Sequence, residues 1–159
     1  MKITNIKATP VNIPLETPIC WTAGLYPGTS KTIIEVETDE GIVGLGEAPS
    51  SHLTPAIESL GPRLIGKDPL DIAEIESLCV PPWQIVQNTD DSAAVTAFGG
   101  LEIALWDIRG KVWHQPLYKL LGGAVRKAIP FTEYFAFRSV TNGKGGEMEP
   151  QAVTEFCLR

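Results

Sequence analysis

The sequence predicts an α+β fold in which an antiparallel sheet is followed by helices. Residues 2–47 are rich in β-branched side chains, and many of their apolar residues fall on alternating positions, as in half-buried strands. From residue 54 onward the apolar residues recur every three or four positions, which is the spacing of one helix face. With 159 residues, of which 43% are hydrophobic, the chain can bury the core of one domain, or of one domain plus a fragment.

The first predicted strand covers residues 2–15, and Pro14 ends it or places it at a sheet edge. Residues 16–30 then combine turn-forming prolines and glycines with the large side chains of Trp21 and Tyr26. This mixture predicts a loop that covers another part of the molecule.

Two further strands, residues 31–38 and 42–47, form a predicted antiparallel hairpin. The turn between them ends on Gly41, which supplies a positive φ without steric penalty. Glu47 closes the second strand, and we expect it to be a cap or an ion-pair partner rather than a metal ligand. The chain therefore opens with three strands.

Two helices with proline-marked ends are predicted next. Thr54-Pro55 supplies a cap and a first-turn proline for the first helix, which Gly61-Pro62 kinks or divides. Asp68-Pro69 repeats the same start signal for the second helix, and Pro81-Pro82 ends it.

A long helix follows, with apolar residues on so much of its surface that it is predicted to lie between two layers. Its candidate caps are Asp90, Asp91 and Ser92. Gly99 and Gly100 lie in its interior, where each glycine costs roughly 1 kcal/mol relative to alanine. Glycine at these two positions is expected if another backbone or a ligand approaches the helix closely there. A short helical turn then ends on Gly122-Gly123.

The last part of the chain is predicted to be a strand over residues 128–137, a glycine-rich charged loop over 138–150 and the start of a helix over 151–159. Strand, loop and helix form half of a βαβ unit. The aromatic strand would present an unpaired edge. We therefore expect the natural protein to continue, or another chain to complete the unit.

Composition excludes several classes of partner. The formal net charge is -6 and there is no run of basic residues, which argues against nucleic acid and anionic membrane surfaces. No apolar run approaches the roughly 20 residues that span a bilayer. The three cysteines form no CxxC motif. The sequence predicts a cytoplasmic location.

Three motifs occur in a characteristic order: TDEGIVGLGEA at 38–48, GLEIALWDIRGK at 100–111 and PLYKLLGG at 116–123. This order resembles the enolase superfamily, of the mandelate racemase and muconate lactonizing enzyme type. The segment TEYFAFR, at 132–138, is most similar to the glucarate dehydratase-like acid-sugar dehydratases. The resemblance implies a capping domain over residues 1–125, followed at 126–159 by the first strand and part of the first helix of a TIM-type barrel.

The resemblance also implies a reaction. Enzymes of this superfamily remove the proton α to a carboxylate and stabilise the enolate with Mg²⁺. By the order of the family's barrel strands, the acid/base residues and metal ligands would lie beyond Arg159. No residue here inherits a catalytic or metal-binding role, so we expect the 159-residue chain alone to be inactive. The implied partners are an acid-sugar substrate, the rest of the barrel or another chain, and further copies in a homo-oligomer.

What the resemblance transfers to this chain is a lid over the barrel mouth, formed by residues 16–30 and 48–53. The implied substrate-binding residues are Trp21, Tyr26, Lys31, His52, Tyr134 and Arg138. The aromatic residues would exclude water and line the pocket, and the cations would attract an acidic substrate. Read without the family, each has an ordinary structural explanation as an exposed charge, a loop histidine or apolar packing.

Two alternatives stay open at this point. The same fold and enolate step serve racemases and cycloisomerases as well as dehydratases. The chain can also be a non-catalytic, truncated module that associates through its exposed strand or through oligomer contacts.

Overall fold

The structure is a computed structural model that describes residues 1–81, 89–132 and 136–158, with the side chains of 89–92 left undescribed. The chain divides into two compact units. The first unit comprises residues 1–11 and 30–125, and the second comprises residues 12–29 and 126–159. The domain limits expected from the family, 1–125 and 126–159, stay a prediction.

Four strands occur in the described residues: β1 (Ile3–Trp21), β2 (Gly24–Thr38), β3 (Val43–Ala48) and β4 (Phe137–Arg138). They are hydrogen-bonded in the order β3-β2-β1-β4. β2 and β3 are antiparallel, as predicted, and Gly41 in their turn has a φ of 76°. β1 and β2 are joined by only two residues, a connection that requires an antiparallel pair. The fourth strand was not expected within a three-stranded sheet.

The predicted loop over residues 16–30 is wrong, because β1 continues to Trp21 and β2 begins at Gly24. The segment is a β-hairpin rather than a loop. Gly24 has a φ of 126°, which suits the tight turn between the strands. A Cβ on Gly28 would lie 2.6 Å from the Ile13 carbonyl oxygen, so glycine permits close backbone approach here. The prolines and glycines that suggested a loop are accommodated within the extended hairpin.

The predicted strand over residues 128–137 is largely wrong. Residues 126–132 form neither helix nor strand and are exposed, and residues 133–135 lie outside the described part. Of the described residues in this predicted strand, Phe137 alone pairs with β1, opposite Cys20. Aromatic composition favours extended structure, but a strand forms only where a neighbouring backbone supplies hydrogen bonds.

Five α-helices occur in the described residues: α1 (Thr54–Leu64), α2 (Ile72–Cys79), α3 (Thr89–Val112), α4 (Leu117–Leu120) and α5 (Pro150–Cys157). A short 3₁₀ turn, Ser51–Leu53, precedes α1. α1 is one helix with Pro62 inside it, so the division predicted as one alternative at Gly61-Pro62 is wrong, and the other alternative, a kink, stays a prediction. α2 begins later than its Asp68-Pro69 signal, because the Asp68 side chain accepts a hydrogen bond from the Leu70 amide in a turn before the helix. The capping contacts predicted for Asp90, Asp91 and Ser92 lie outside the described side chains.

The core of the first unit forms where α3 packs on β3, α1 and α2. Leu101, Leu105 and Ile108 of α3 are fully buried there. The surface of α3 is less fully covered than a helix between two layers would be, since Ile103 is 51% exposed. Among the described residues, no helix has the length and apolar character needed to cross a membrane.

Candidate substrate-binding site

A cleft of about 830 Å³ lies within the second unit. We call it the aromatic cleft, after Trp21, Tyr26 and Phe137 in its lining. Two of these three residues, Trp21 and Tyr26, belong to the set predicted to bind substrate. The described residues that line it are Ile19, Cys20, Trp21, Thr22, Tyr26, Ala136, Phe137 and Met148.

The pairing of β1 with β4 places most of these residues. Ile19 lies opposite Arg138, and Cys20 lies opposite Phe137. Trp21 is the last residue of β1, immediately before the two-residue turn, and Tyr26 follows that turn in β2. The cleft therefore depends on the hairpin that the sequence had predicted as a loop.

Arg138 is engaged by the residues around it. Its Nη2 donates to Glu147 Oε1 at 2.6 Å and its Nε donates to Glu147 Oε2 at 3.0 Å. The guanidinium also lies 5.0 Å from the centroid of the Phe156 ring. This two-point ion pair satisfies Arg138 within its own unit, so the side chain is held in place before any acidic substrate arrives.

A tight glycine loop connects Arg138 to Glu147. The Ser139 amide donates to the Pro18 carbonyl at 3.0 Å, and the Gly146 amide donates to the Arg138 carbonyl at 3.0 Å. Gly145 has a φ of 81°, and a Cβ at this position would lie close to the Ser139 carbonyl oxygen. Glycine is therefore required where the loop folds against the hairpin.

An exposed ion pair also joins this loop to the hairpin. Lys144 Nζ donates to Glu16 Oε1 at 2.7 Å, and this hydrogen bond holds the pKa of Glu16 below its ordinary value of 4.5. Because the pKa is lowered in the folded state, the pair contributes stability at neutral pH and loses it as the pH falls through the lowered pKa.

We expect the substitution Lys144→Met to return the pKa of Glu16 toward 4.5, because methionine has neither the hydrogen-bond donor nor the positive charge of the lysine. Carboxyl ¹³C NMR titration of the wild-type and variant chains measures this shift. Concentrated salt screens exposed charges, so repeating the wild-type titration in it should also raise the pKa of Glu16. A Glu16 pKa identical in the two chains would mean that the pair does not form.

The other predicted residues are not among the described residues that line the cleft. Lys31 belongs to the first unit and donates to Glu47 Oε1 at 2.7 Å, which confirms the expectation that Glu47 is an ion-pair partner. His52 is exposed in the 3₁₀ turn of the first unit, where its amide donates to Ser50 Oγ at 3.2 Å. Tyr134 lies outside the described residues. The substrate-binding roles of all six residues stay predictions.

Sequence reasoning missed several lining residues. Phe137 was recognised only as part of an aromatic strand, and Ile19, Cys20 and Met148 carried no functional signal. If residues 16–21 had been predicted as a strand, the alternation of side chains between its two faces would have placed Ile19 and Trp21 on the same face. Met148 comes from the glycine loop, which has no period that could predict its position.

The described residues hold no candidate metal centre, since among them no three His, Cys, Asp or Glu side chains gather closely enough to bind an ion. Glu16, Glu47 and Glu147 are each paired with a lysine or an arginine. The described residues therefore do not fit a Mg²⁺ site.

Comparison of the sequence with models of known protein families identifies the family of this chain. The model for the N-terminal domain of the mandelate racemase / muconate lactonizing enzyme family matches residues 3–122. The chain therefore belongs to this family of the enolase superfamily and contains its N-terminal capping domain, built from an antiparallel sheet and helices.

Several curated relatives are enzymes. The chain is 32% identical over 152 residues to an N-succinyl-L-Arg/Lys racemase of Bacillus cereus, covering 89% of this chain and 39% of that protein. It is 38% identical over 141 residues to a cis-3-hydroxy-L-proline dehydratase of Roseibium aggregatum, covering 81% and 36%. It is 41% identical over 109 residues to a D-galactonate dehydratase family member of Paenibacillus, covering 62% and 25%.

Comparison with solved structures also finds similarity to the enolase superfamily. An enolase from Thermobispora bispora, crystallised with magnesium and formate, aligns with a TM-score of 0.73 at 29% identity, covering 94% of this chain and 37% of that one. The chain thus spans 39% or less of the length of the three curated relatives.

Proposed function

We propose that this chain is the capping segment and the start of the barrel of a Mg²⁺-dependent enzyme that removes the proton α to a substrate carboxylate. The match of residues 3–122 to the family's N-terminal domain carries this proposal. In the proposed arrangement, residues 126–159 begin the barrel. The remainder of the barrel, in the same chain or another, supplies the acid/base residues and metal ligands. The complete enzyme is proposed to be a homo-oligomer.

The first reaction we propose is dehydration of an acid sugar, an aldonate or aldarate. In this reaction the C2 proton is removed, the C3 hydroxyl leaves as water, and the resulting enol becomes a 2-keto-3-deoxy acid. The galactonate dehydratase relative supports this choice. Mg²⁺, when bound by the complete enzyme, would stabilise the charge on the enolate.

The contribution of this chain is to surround the substrate. Trp21 and Tyr26 would cover it and exclude water, which strengthens electrostatic interactions at the reacting carboxylate. Lys31, His52, Tyr134 and Arg138 complete the proposed set. Since Lys31 and Arg138 are each paired with a carboxylate, any attraction they exert on an acidic substrate is reduced.

The test uses the natural protein that carries this segment, purified and supplied with Mg²⁺. We expect it to exchange the α-proton of an aldonate or aldarate with solvent deuterium, measured by ¹H NMR, and to form the 2-keto-3-deoxy acid. The 159-residue chain alone should do neither. The proposal fails if the natural protein gives no α-exchange with any carboxylate tested, or if the short chain turns over substrate at a comparable rate.

A second candidate reaction is racemisation or dehydration of an amino-acid derivative. It is supported by the N-succinyl-L-Arg/Lys racemase and cis-3-hydroxy-L-proline dehydratase relatives, whose alignments cover 89% and 81% of this chain. The same exchange experiment separates the candidates. Racemisation gives exchange with inversion and no loss of water, whereas dehydration gives a keto acid or its cyclic imine.

A further inference from the structure

The strand β3 lies at one edge of the sheet. Among the described residues it pairs with β2 on one side and with no strand on the other, because it comes first in the order β3-β2-β1-β4. An edge of this kind presents backbone amides and carbonyls to which an extended segment of another chain can add. The strand also exposes apolar side chains, since Val43 is 37% exposed and Leu45 is 52% exposed. The outer edge of β3 therefore has the chemistry that favours addition of a further strand.

Two side chains of α3 bind the backbone at this edge. The Leu45 amide donates to Asp107 Oδ2 at 2.8 Å, and Lys111 Nζ donates to the Val43 carbonyl at 2.6 Å. Lys111 Nζ also donates to the same Asp107 Oδ2 at 2.7 Å, so the contacts form one continuous series of hydrogen bonds. We call Asp107 and Lys111 together the edge clip.

The direction of the backbone groups places the edge clip on the outer side of β3. In an antiparallel pair, residues that exchange hydrogen bonds with the partner strand alternate with residues whose amide and carbonyl point away from it. The Thr38 amide of β2 donates to the Ile42 carbonyl, so Gly44, two positions further on, also faces β2. Val43 and Leu45 therefore point away from β2. The two backbone groups that the clip binds are those that a fifth strand would use.

Close packing of α3 on β3 brings the clip within reach of the edge. A Cβ on Gly44 would overlap the Ala104 carbonyl oxygen, so glycine lets the helix backbone lie directly against the strand. Asp107 and Lys111 follow Ala104 at intervals of about one helical turn. The lysine ammonium supplies a hydrogen-bond donor and the carboxylate supplies an acceptor, which are the two functions of a peptide group in an adjacent strand.

We propose that the edge clip closes the outer edge of β3 by taking the place of a peptide group of a neighbouring strand, so that an extended peptide cannot add there. The Lys111 side chain is 45% exposed and that of Asp107 is 34% exposed, so a peptide in solution can reach this edge once the clip is removed. Exposed ion pairs contribute little to stability, and the role proposed for this one is to exclude other chains. The proposal does not depend on the proposed reaction.

The double substitution Asp107→Ala with Lys111→Ala tests the proposal, because it removes both clip side chains and introduces residues that favour a helix. The natural protein that carries this segment is used throughout. We expect the Leu45 amide to exchange with solvent deuterium at least about tenfold faster in the variant, measured by NMR, because its hydrogen-bond acceptor is gone. The Gly44 amide, which faces β2, should keep its wild-type rate.

Peptide binding measures whether the edge has become open. The probe is a fluorescent peptide with the sequence of residues 31–38, KTIIEVET, which pairs with the inner side of β3 in the folded chain. We expect it to bind the double variant at least about tenfold more tightly than the wild type in anisotropy titrations, because two backbone groups of β3 are then available to it.

The matched control is Lys67→Ala with Glu74→Ala. It removes another exposed ion pair, with 2.6 Å between Lys67 Nζ and Glu74 Oε1, that joins two side chains rather than a strand edge. It should change neither Leu45 exchange nor peptide binding. If the double clip variant does not fold, as judged by circular dichroism, Lys111→Met alone should still increase peptide binding, because it frees the Val43 carbonyl. Unchanged Leu45 exchange in the folded double variant, or peptide binding equal to that of the wild type, overturns the proposal.

Discussion

Replacing Gly46 by alanine is expected to lower the free energy of unfolding by about 3 kcal/mol. A Cβ at this position would overlap the carbonyl oxygen of Gly100 in α3. The clash is with backbone, so no side-chain rotation relieves it. α3 could retreat only by pulling Leu101 and Leu105 out of the core, where both are fully buried.

The matched control is Gly99→Ala. Gly99 is the neighbour of Gly100 in α3, and a Cβ there would meet nothing within 4 Å. This substitution should stabilise the chain by up to about 1 kcal/mol, the ordinary helix preference for alanine. Urea denaturation followed by circular dichroism measures both variants. If Gly46→Ala unfolds at the wild-type urea concentration, close approach is not the reason for glycine at this position.

Removal of the Arg109 side chain should have the second-largest effect. Its guanidinium donates to the Leu70 carbonyl at 2.5 Å and lies 4.5 Å from the centre of the Trp106 ring and 5.4 Å from that of Trp113. A charged hydrogen bond together with cation–π contact predicts a loss of about 2–3 kcal/mol in Arg109→Ala. Arg109 Nε is buried and has no hydrogen-bond partner among the described atoms. Because this unsatisfied group costs free energy in the wild type, the loss of stability in Arg109→Ala is not expected to be larger.

Arg109→Lys is the informative comparison, because it keeps the positive charge and removes the planar group that contacts both rings. Lysine is expected to recover less than half of the loss, since an ammonium group cannot stack on the rings while reaching the Leu70 carbonyl. Thermal and urea unfolding provide the measurement. A lysine variant as stable as the wild type would show that charge alone, rather than the guanidinium plane, holds α3 to the turn before α2.

Local conformational preferences of the sequence predicted many of the turns and helices of the first unit. The Gly41 turn, the helix faces and the terminating glycines at 122 and 123 follow from local preferences of the chain, and the structure shows them. The glycine pair in α3 was predicted only in part. Gly100 meets the Ile34 and Ala48 side chains, whereas Gly99 faces open space. Sequence indicates that glycine is unusual in a helix, but only tertiary packing decides which glycine is required.

The candidate site was harder to predict, since it depends on long-range pairing. Cys20 and Phe137 are opposite each other although 117 positions separate them in the sequence. No local pattern predicts that register. The same limit explains why Arg138 was predicted as a free cation, because its partner Glu147 is presented by a glycine loop without periodicity.

The hairpin that carries Trp21 and Tyr26 is contiguous in sequence, and the buried core cluster of the described residues includes no side chain from positions 12–29. Substitutions in this stretch can therefore change the proposed substrate-binding surface without disturbing the packing of α3 on β3. Under the proposed function, stability and substrate preference then depend on different segments of the chain, and changes in one short contiguous segment are enough to alter the substrate.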